Sequence, residues 1–147
     1  MRRRNWLALL VVLALGGTLN VKGPAEFFLG LSVAAPTALA PQTRSEGGVQ
    51  VKVTPKNITV AAETWDFEVA LNTHSVALDQ DLAKITVLID AQGKQYRPIA
   101  WDGDPPGGHH RRGIVRFKPL AALPSSLELR ISGIGGVDAR AFHWQLQ

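Results

Sequence analysis

The chain has 147 residues, no cysteine and a single methionine, the initiator. Its length allows one domain with an adequate hydrophobic core, and the absence of thiols excludes thiol catalysis, iron–sulfur clusters and a blue-copper centre. The net charge of +4 comes mostly from the first forty residues, because residues 41–147 contain 12 basic and 11 acidic side chains. A domain so close to neutral lacks the field that drives nonspecific binding to nucleic acid.

The N-terminal residues are typical of a secretory signal peptide. Arginines at positions 2–4 precede an uninterrupted apolar run, Trp6–Leu15, which is shorter than the ~20 residues that a membrane-spanning helix needs. A second apolar stretch ends in the Ala-Leu-Ala sequence of residues 38–40. This small-x-small pattern predicts cleavage before Pro41.

The alternative to cleavage is a retained anchor, with residues 6–19 and 27–40 lying together in or on the membrane. We therefore predict that residues 1–40 are a signal peptide or a membrane anchor. Both interpretations predict an extracytoplasmic protein, which is periplasmic, secreted or membrane-anchored. Membrane contact through residues 1–40 is expected only if they are retained.

The rest of the chain is dominated by alternation of apolar and polar residues with period two, which indicates strands rather than helices. Residues 41–48 are polar and contain glycine, so we predict a flexible connecting segment there. The predicted strands are residues 49–53, 65–71, 85–89, 95–101, 114–117, 127–131 and 142–146.

Seven strands in about 100 residues predict an all-β domain over residues 49–147, specifically an immunoglobulin-like antiparallel β-sandwich. Each alternating strand has one apolar face, which must be buried against a second sheet. Pro98 interrupts the fourth strand and predicts an edge position or a bulge there. Residues 91–94 predict a hairpin turn, and residues 76–84 allow a single helical turn.

Two segments carry a resemblance to known proteins. The first is Asn-Thr-His-Ser-Val at residues 72–76, and the second is the block Tyr96–Phe117, which contains Pro-Pro-Gly-Gly-His-His-Arg at residues 105–111. Together they resemble a family of secreted or membrane-associated prokaryotic proteins. The resemblance spans residues 49–147 and implies export and a β-domain, but it implies no catalytic residues.

Residues 102–113 have the most unusual composition in the chain, Asp-Gly-Asp-Pro-Pro-Gly-Gly-His-His-Arg-Arg-Gly. They lie between two predicted strands, where sandwich folds commonly display binding groups. The simplest interpretation is structural: the turn-forming residues make a rigid crossover between the two sheets. Two functional interpretations stay open beside it.

The first functional interpretation is metal binding. His109 and His110 offer imidazole nitrogens, and His74 is a third candidate ligand. Such a donor set suits Cu²⁺ or Zn²⁺. Adjacent strand residues point to opposite faces, so both histidines reach one ion only if the backbone is irregular, which Gly107 and Gly108 permit. No two histidines have the spacing of a known zinc motif.

The second functional interpretation is recognition of an anion or of a protein partner. Arg111, Arg112 and the glycine amides of the loop offer donors to a phosphate, a carboxylate or an acidic protein surface. Trp101 adds an aromatic anchor of the kind found at interface hot spots. These three side chains are the candidate partner-binding residues.

A hydrolytic site built on His74 and Ser75 is the weakest hypothesis. The chain has no nucleophile-elbow motif, and the two side chains are adjacent, which directs them to opposite faces of a strand. We therefore predict a non-enzymatic module that binds an envelope protein or a small ligand through residues 101–113. The alternative is a periplasmic copper- or zinc-binding protein that uses His109 and His110.

Overall fold

Strands account for most of residues 38–146, which are the residues that the computed structural model describes. The elements in chain order are β1 (Gln42–Glu46), β2 (Val49–Pro55), β3 (Trp65–Thr73), α1 (Leu82–Ile85), β4 (Thr86–Asp90), β5 (Gln95–Tyr96), β6 (Ala100–Gly103), β7 (His110–Phe117), β8 (Ser126–Ile134) and β9 (Val137–Gln145). The helix α1 is the single turn expected within residues 76–84, and the Asp81 carboxylate caps it by accepting from the Ala83 N–H at 3.1 Å.

The strands pair antiparallel in two sheets, one ordered β1-β2-β3-β7-β6 and the other β5-β4-β8-β9. Period-two alternation supplies the core: along β3, every second side chain from Trp65 to Thr73 is buried. These side chains meet those of the second sheet, as in the 5.7 Å separation between the ring centroids of Phe67 and Trp144. The prediction of an all-β domain with two packed antiparallel sheets is therefore confirmed.

The predicted fourth strand, residues 95–101, is two short strands that belong to different sheets. β5 is the edge of the four-stranded sheet, and β6 is the edge of the five-stranded sheet. The chain crosses between the sheets at residues 97–99, so Pro98 lies where no ladder hydrogen bond is needed. Periodicity alone does not reveal this division, because it reports alternation along the chain and not the partner of each strand.

Residues 41–48, which the composition assigns to a flexible connecting segment, contain the strand β1. β1 pairs with β2 from Gln42 opposite Val53 to Glu46 opposite Val49. The Gln42 side-chain amide donates to the His143 carbonyl and accepts from the His143 N–H, which ties β1 to β9. β1 lacks an apolar alternation because its side chains lie at a sheet edge and are mostly exposed.

Residues 38–40, the last three of the predicted leader, lie against the domain. Leu39 packs against the hydrophobic core. The Ala40 carbonyl accepts a hydrogen bond of 2.8 Å from the indole N–H of Trp144, a side chain that is only 5% exposed. The remainder of the predicted leader, residues 1–37, lies outside the described residues. Within residues 38–146 there is no helix long and apolar enough to cross a membrane.

The sandwich has two ends with different components. We call one the loop end: it carries the β1–β2 turn, residues 74–81, residues 104–109 and the β8–β9 turn. We call the other the leader end: it carries residues 38–40, 56–64, 91–94 and 118–125 and Leu146. The chain therefore joins the domain at the end opposite to the histidine-containing loop.

Because residues 38–40 contribute to the fold, a chain that begins at Pro41 should be less stable than one that begins at Ala38. The loss should be about 2 kcal/mol, from the packing of Leu39 and one hydrogen bond to a buried indole. Urea denaturation of the two chains measures it, and Leu39→Ala in the longer chain separates the packing contribution. Equal stabilities would show that residues 38–40 only lie against the domain.

Candidate functional site

Residues 104–109 form the loop of a β-hairpin within one sheet. β6 and β7 pair from Ala100 opposite Arg116 to Gly103 opposite Gly113, so both sides of the loop belong to the five-stranded sheet. The interpretation of this loop as a crossover between sheets is therefore wrong, since the crossover lies at residues 97–99. Turn-forming composition indicates a reversal of the chain but does not distinguish a hairpin from a crossover.

The loop is held against the segment that follows β3. The Gly107 N–H donates to the Leu78 carbonyl at 2.9 Å, and the Thr73 N–H donates to the His109 carbonyl at 2.9 Å. Gly107 and Gly108 have φ values of 110° and 73°, a region that disfavours residues with a side chain. The irregular backbone anticipated at these glycines is thus present, and it brings the loop into contact with residues 73–80.

Arg111 holds this arrangement from inside the protein. Its side chain is only 2% exposed. Its guanidinium donates to the carbonyls of Leu78 at 2.9 Å and Gln80 at 2.7 Å, and to the Asp104 carbonyl at 3.2 Å. Burial lowers the pKa of Arg111, and the Asp104 carboxylate opposes that shift, but a guanidinium stays protonated in proteins. A buried cation therefore connects the hairpin loop to the segment after β3.

Trp101 supports Arg111 instead of projecting into solvent. Its half-buried ring lies 5.7 Å from the Arg111 guanidinium carbon, and its indole N–H donates to the Asp104 carbonyl at 3.0 Å. The ring covers Gly103 and Gly113, which face each other across the hairpin. A Cβ on Gly103 would lie 2.8 Å from the Trp101 ring, and one on Gly113 would lie 2.7 Å from it. Only glycine fits at both positions.

The three candidate partner-binding side chains differ in what they offer to an external anion. Arg111 is buried and bonded to backbone carbonyls, so it does not meet one, and the half-buried Trp101 packs against it. Arg112 keeps a side chain that is 69% exposed, but it pairs with Glu68 at 2.7 Å. The other charges that act on Arg111 are the carboxylates of Asp79 and Asp81, both on exposed residues. The accessible surface around the buried arginine therefore includes carboxylates, of which that of Asp81 pairs with the Lys84 ammonium at 3.2 Å.

The three candidate metal-binding histidines lie at one corner of the loop end. His110 is paired in register with Asn72, and their side chains are 2.8 Å apart, from Nδ1 to Oδ1. His109 contacts Thr73 through the backbone, and His74 is the next residue along the chain. All three histidines are exposed. In the described part of the chain, however, no group of three or more histidine, cysteine, aspartate or glutamate side chains is arranged to hold a metal ion.

His74 and Ser75 follow the buried Thr73 in a turn at the end of β3. The buried Thr73 hydroxyl donates to the Gly48 carbonyl at 2.8 Å and accepts from the Ser75 and Val76 N–H groups at 3.3 and 3.1 Å. This Thr73 turn directs the exposed His74 and Ser75 away from the core. A cavity of about 440 Å³ beside it is lined by His74, Asn72 and Glu46 among others. Thr73 thus has a structural role that the sequence analysis did not assign.

Arg140 is a second buried arginine at the loop end and was also missed. It is 1% exposed and donates to the carbonyls of Ile134 at 2.8 Å and Glu46 at 2.6 Å, which joins the β8–β9 turn to β1. The alternation of residues along β9 indicates that Arg140 is buried, because it lies on the same face of the strand as the buried Phe142 and Trp144.

In comparisons with protein-family models, with curated proteins and with solved structures, no match to this chain was found. The family resemblance of residues 49–147 therefore stays a prediction, and the site is interpreted from its own geometry.

Replacement of Arg111 by methionine should destabilise the protein by about 3 kcal/mol, because three carbonyls lose a charged donor in a buried setting. Arg112→Met is the matched control: it removes only an exposed ion pair and should cost less than about 1 kcal/mol. Urea denaturation monitored by tryptophan fluorescence measures both values. Similar losses in the two variants would contradict the assignment of Arg111 as the internal connector.

Proposed function

We propose that this protein is an exported, non-enzymatic β-sandwich module that binds a protein partner in the cell envelope through its loop end. The observation that carries the proposal is the buried Arg111 guanidinium, which bonds to carbonyls of the hairpin loop and of the segment after β3. These bonds give the two exposed segments one defined arrangement.

A rigid display of this kind favours recognition over catalysis. Association is weakened by the entropy of ordering loops, so a loop ordered in advance binds more tightly for the same contacts. Burying a cation is costly, and a hairpin loop of six residues closes without one. Arg111 therefore serves to define the shape of the loop end rather than to close the hairpin.

The exposed chemistry of the loop end favours a partner that carries basic groups. Pro105 and Pro106 offer a rigid apolar surface, and His109 adds a ring at the other side of the loop. The exposed carboxylates of Asp79 and Asp104 lie near them. Electrostatic complementarity would therefore orient a basic protein surface towards this end.

Export and the type of sandwich are part of the same proposal. The charged and apolar pattern of residues 2–15 supports passage across a membrane, as does the resemblance of residues 49–147 to secreted or membrane-associated proteins. Two antiparallel sheets of five and four strands are compatible with an immunoglobulin-like arrangement, the type that we propose.

A photo-crosslinking amino acid at position 109 tests the proposal in the native cells. We expect one defined crosslinked product from position 109 and none from position 92, an exposed site in the turn at the leader end. Addition of Arg111→Met should reduce the yield about tenfold, which corresponds to about 1.4 kcal/mol of binding energy. Equal products from both positions, or none from position 109, would contradict recognition through the loop end.

Metal binding is a second candidate, and the pairing of His110 with Asn72 favours it. An amide oxygen only accepts, so in the neutral imidazole the 2.8 Å contact places the proton on Nδ1 and the lone pair on Nε2. Orientation of a ligand histidine through its other nitrogen is common in metal sites. His110, with His109 or His74, would hold Cu²⁺ or Zn²⁺ at this corner.

Calorimetric titration of Cu²⁺ and Zn²⁺ into the protein tests the second candidate. Binding at one equivalent should be lost in the His109→Ala/His110→Ala double variant. The control is His143→Ala, which should keep the binding, because the exposed His143 lies on β9 with its Nδ1 3.5 Å from the Glu128 carboxylate. Loss in the control variant, or heat that is unchanged in all variants, would place any bound ion elsewhere.

A further inference from the structure

The leader end exposes an apolar surface that the proposed function does not use. Val60, in the loop between β2 and β3, is 62% exposed, which is unusually high for a large apolar side chain in this domain. Beside it, a cavity of about 440 Å³ is lined by Leu39, Ile58 and Leu146 among others. These four side chains form a contiguous apolar surface, which we call the Val60 surface.

Two lysines flank the continuation of the Val60 surface. A second cavity, of about 670 Å³, shares the lining residue Leu123 with the first and also carries Lys94 and Lys118. Within residues 38–146 neither lysine forms an ion pair; the Lys94 ammonium lies 5.3 Å from the centre of the Tyr96 ring. The end therefore combines apolar side chains with two exposed lysine side chains.

Hydrogen bonds to Asp90 hold the turn that carries Lys94 in the wall of the larger cavity. Asp90 accepts from the N–H groups of Gln92 and Lys94 at 2.9 and 3.0 Å and from the Tyr96 hydroxyl at 2.7 Å. The bond from Tyr96 contributes most to lowering the pKa of Asp90. These contacts bond the Asp90 carboxylate within its own turn, where the Lys94 ammonium also interacts with it electrostatically.

The chain joins the domain at this same end. Leu39 packs against the core, and the Ala40 carbonyl accepts a hydrogen bond from the indole N–H of Trp144. Both contacts hold residues 38–40 in place. The preceding residues include the apolar runs that predict a leader, and one residue spans at most about 3.5 Å. If the leader is retained in a membrane, the Val60 surface is therefore within a few residues' length of that membrane.

We propose that the leader end is a membrane-contact surface, a proposal that rests on the export proposed above and on retention of the leader. The Val60 surface enters the interface between headgroups and acyl chains, and Lys94 and Lys118 lie at the level of anionic lipid phosphates. Apolar side chains with flanking lysines are the composition that binds such an interface. The loop end then points away from the bilayer, towards a partner.

The absence of cysteine from the chain permits a direct test with the full-length protein. Val60→Cys and Ala77→Cys, an exposed alanine at the loop end, are each labelled with an environment-sensitive fluorophore. Each protein is reconstituted into vesicles of phosphatidylcholine and phosphatidylglycerol that contain a nitroxide-labelled lipid as quencher. We expect strong quenching at position 60 and none at position 77, with unchanged circular dichroism in both variants.

Reversal of the charge at the two lysines tests whether electrostatic attraction to anionic lipid contributes to membrane contact. In the Val60→Cys background, Lys94→Glu/Lys118→Glu should reduce quenching severalfold on the anionic vesicles and leave it unchanged on vesicles of phosphatidylcholine alone. Lys52→Glu, an exposed position in the middle of the strand β2 and away from the leader end, is the control and should have a much smaller effect.

Three outcomes would overturn the proposal. No quenching at either position would show that the leader end stays away from lipid, and equal quenching at both would show that the domain has no preferred orientation. A blue shift at position 60 that depends on protein concentration and needs no vesicles would assign the surface to a second copy of the chain. None of these outcomes affects crosslinking at position 109, so failure here is distinguishable from failure of the proposed function.

Discussion

The bonds of the Arg111 guanidinium to backbone carbonyls determine the shape of the loop end. Its carbonyl partners belong to two stretches of chain, Leu78 with Gln80 on one side and Asp104 on the other. Neither stretch is regular secondary structure, so neither satisfies its own backbone groups through a ladder. The guanidinium of Arg111 donates to carbonyls of both stretches. The Trp101 ring packs on that guanidinium, and it fits there because Gly103 and Gly113 have no side chains. The exposed histidines and aspartates take their positions from this internal contact.

The two ends of the sandwich differ in what holds them together, and this difference supports different roles. At the loop end, buried arginines bond to carbonyls, which leaves a polar and well-defined surface. At the leader end, the apolar side chains of Leu39 and Leu146 pack against the core, and Val60 stays largely exposed. Antiparallel strands separate these ends by the length of the sheets. A domain attached through one end is therefore able to present the other, which is the arrangement that we propose.

Much of the fold could be predicted from the alternation of apolar and polar residues, because successive side chains of a half-buried strand face the core and the solvent in turn. The strands β2, β3, β4, β7, β8 and β9 were located in this way, although β7 begins four residues earlier than predicted. β1 was missed because its side chains are mostly exposed, and β5 and β6 were merged because alternation does not name a strand's partner. At the candidate site, composition singled out the loop that the buried arginine holds, but it suggested surface roles for Arg111 and Trp101. Arginine is usually exposed, and only its position on the face shared with Val115 and Phe117 indicated otherwise.

The sequence by itself determined the class of fold and the region of interest, since alternating apolar residues must find a second sheet and the residue types of the loop permit few backbone paths. Only the tertiary structure decided which side chains are available to a ligand. Strand register places His110 beside Asn72 and Arg111 beside Leu71, and a shift by one residue would have exposed the arginine and buried the histidine. The attachment of residues 38–40 was likewise decided in three dimensions, because the partner of the Ala40 carbonyl, Trp144, is more than a hundred residues away in the chain.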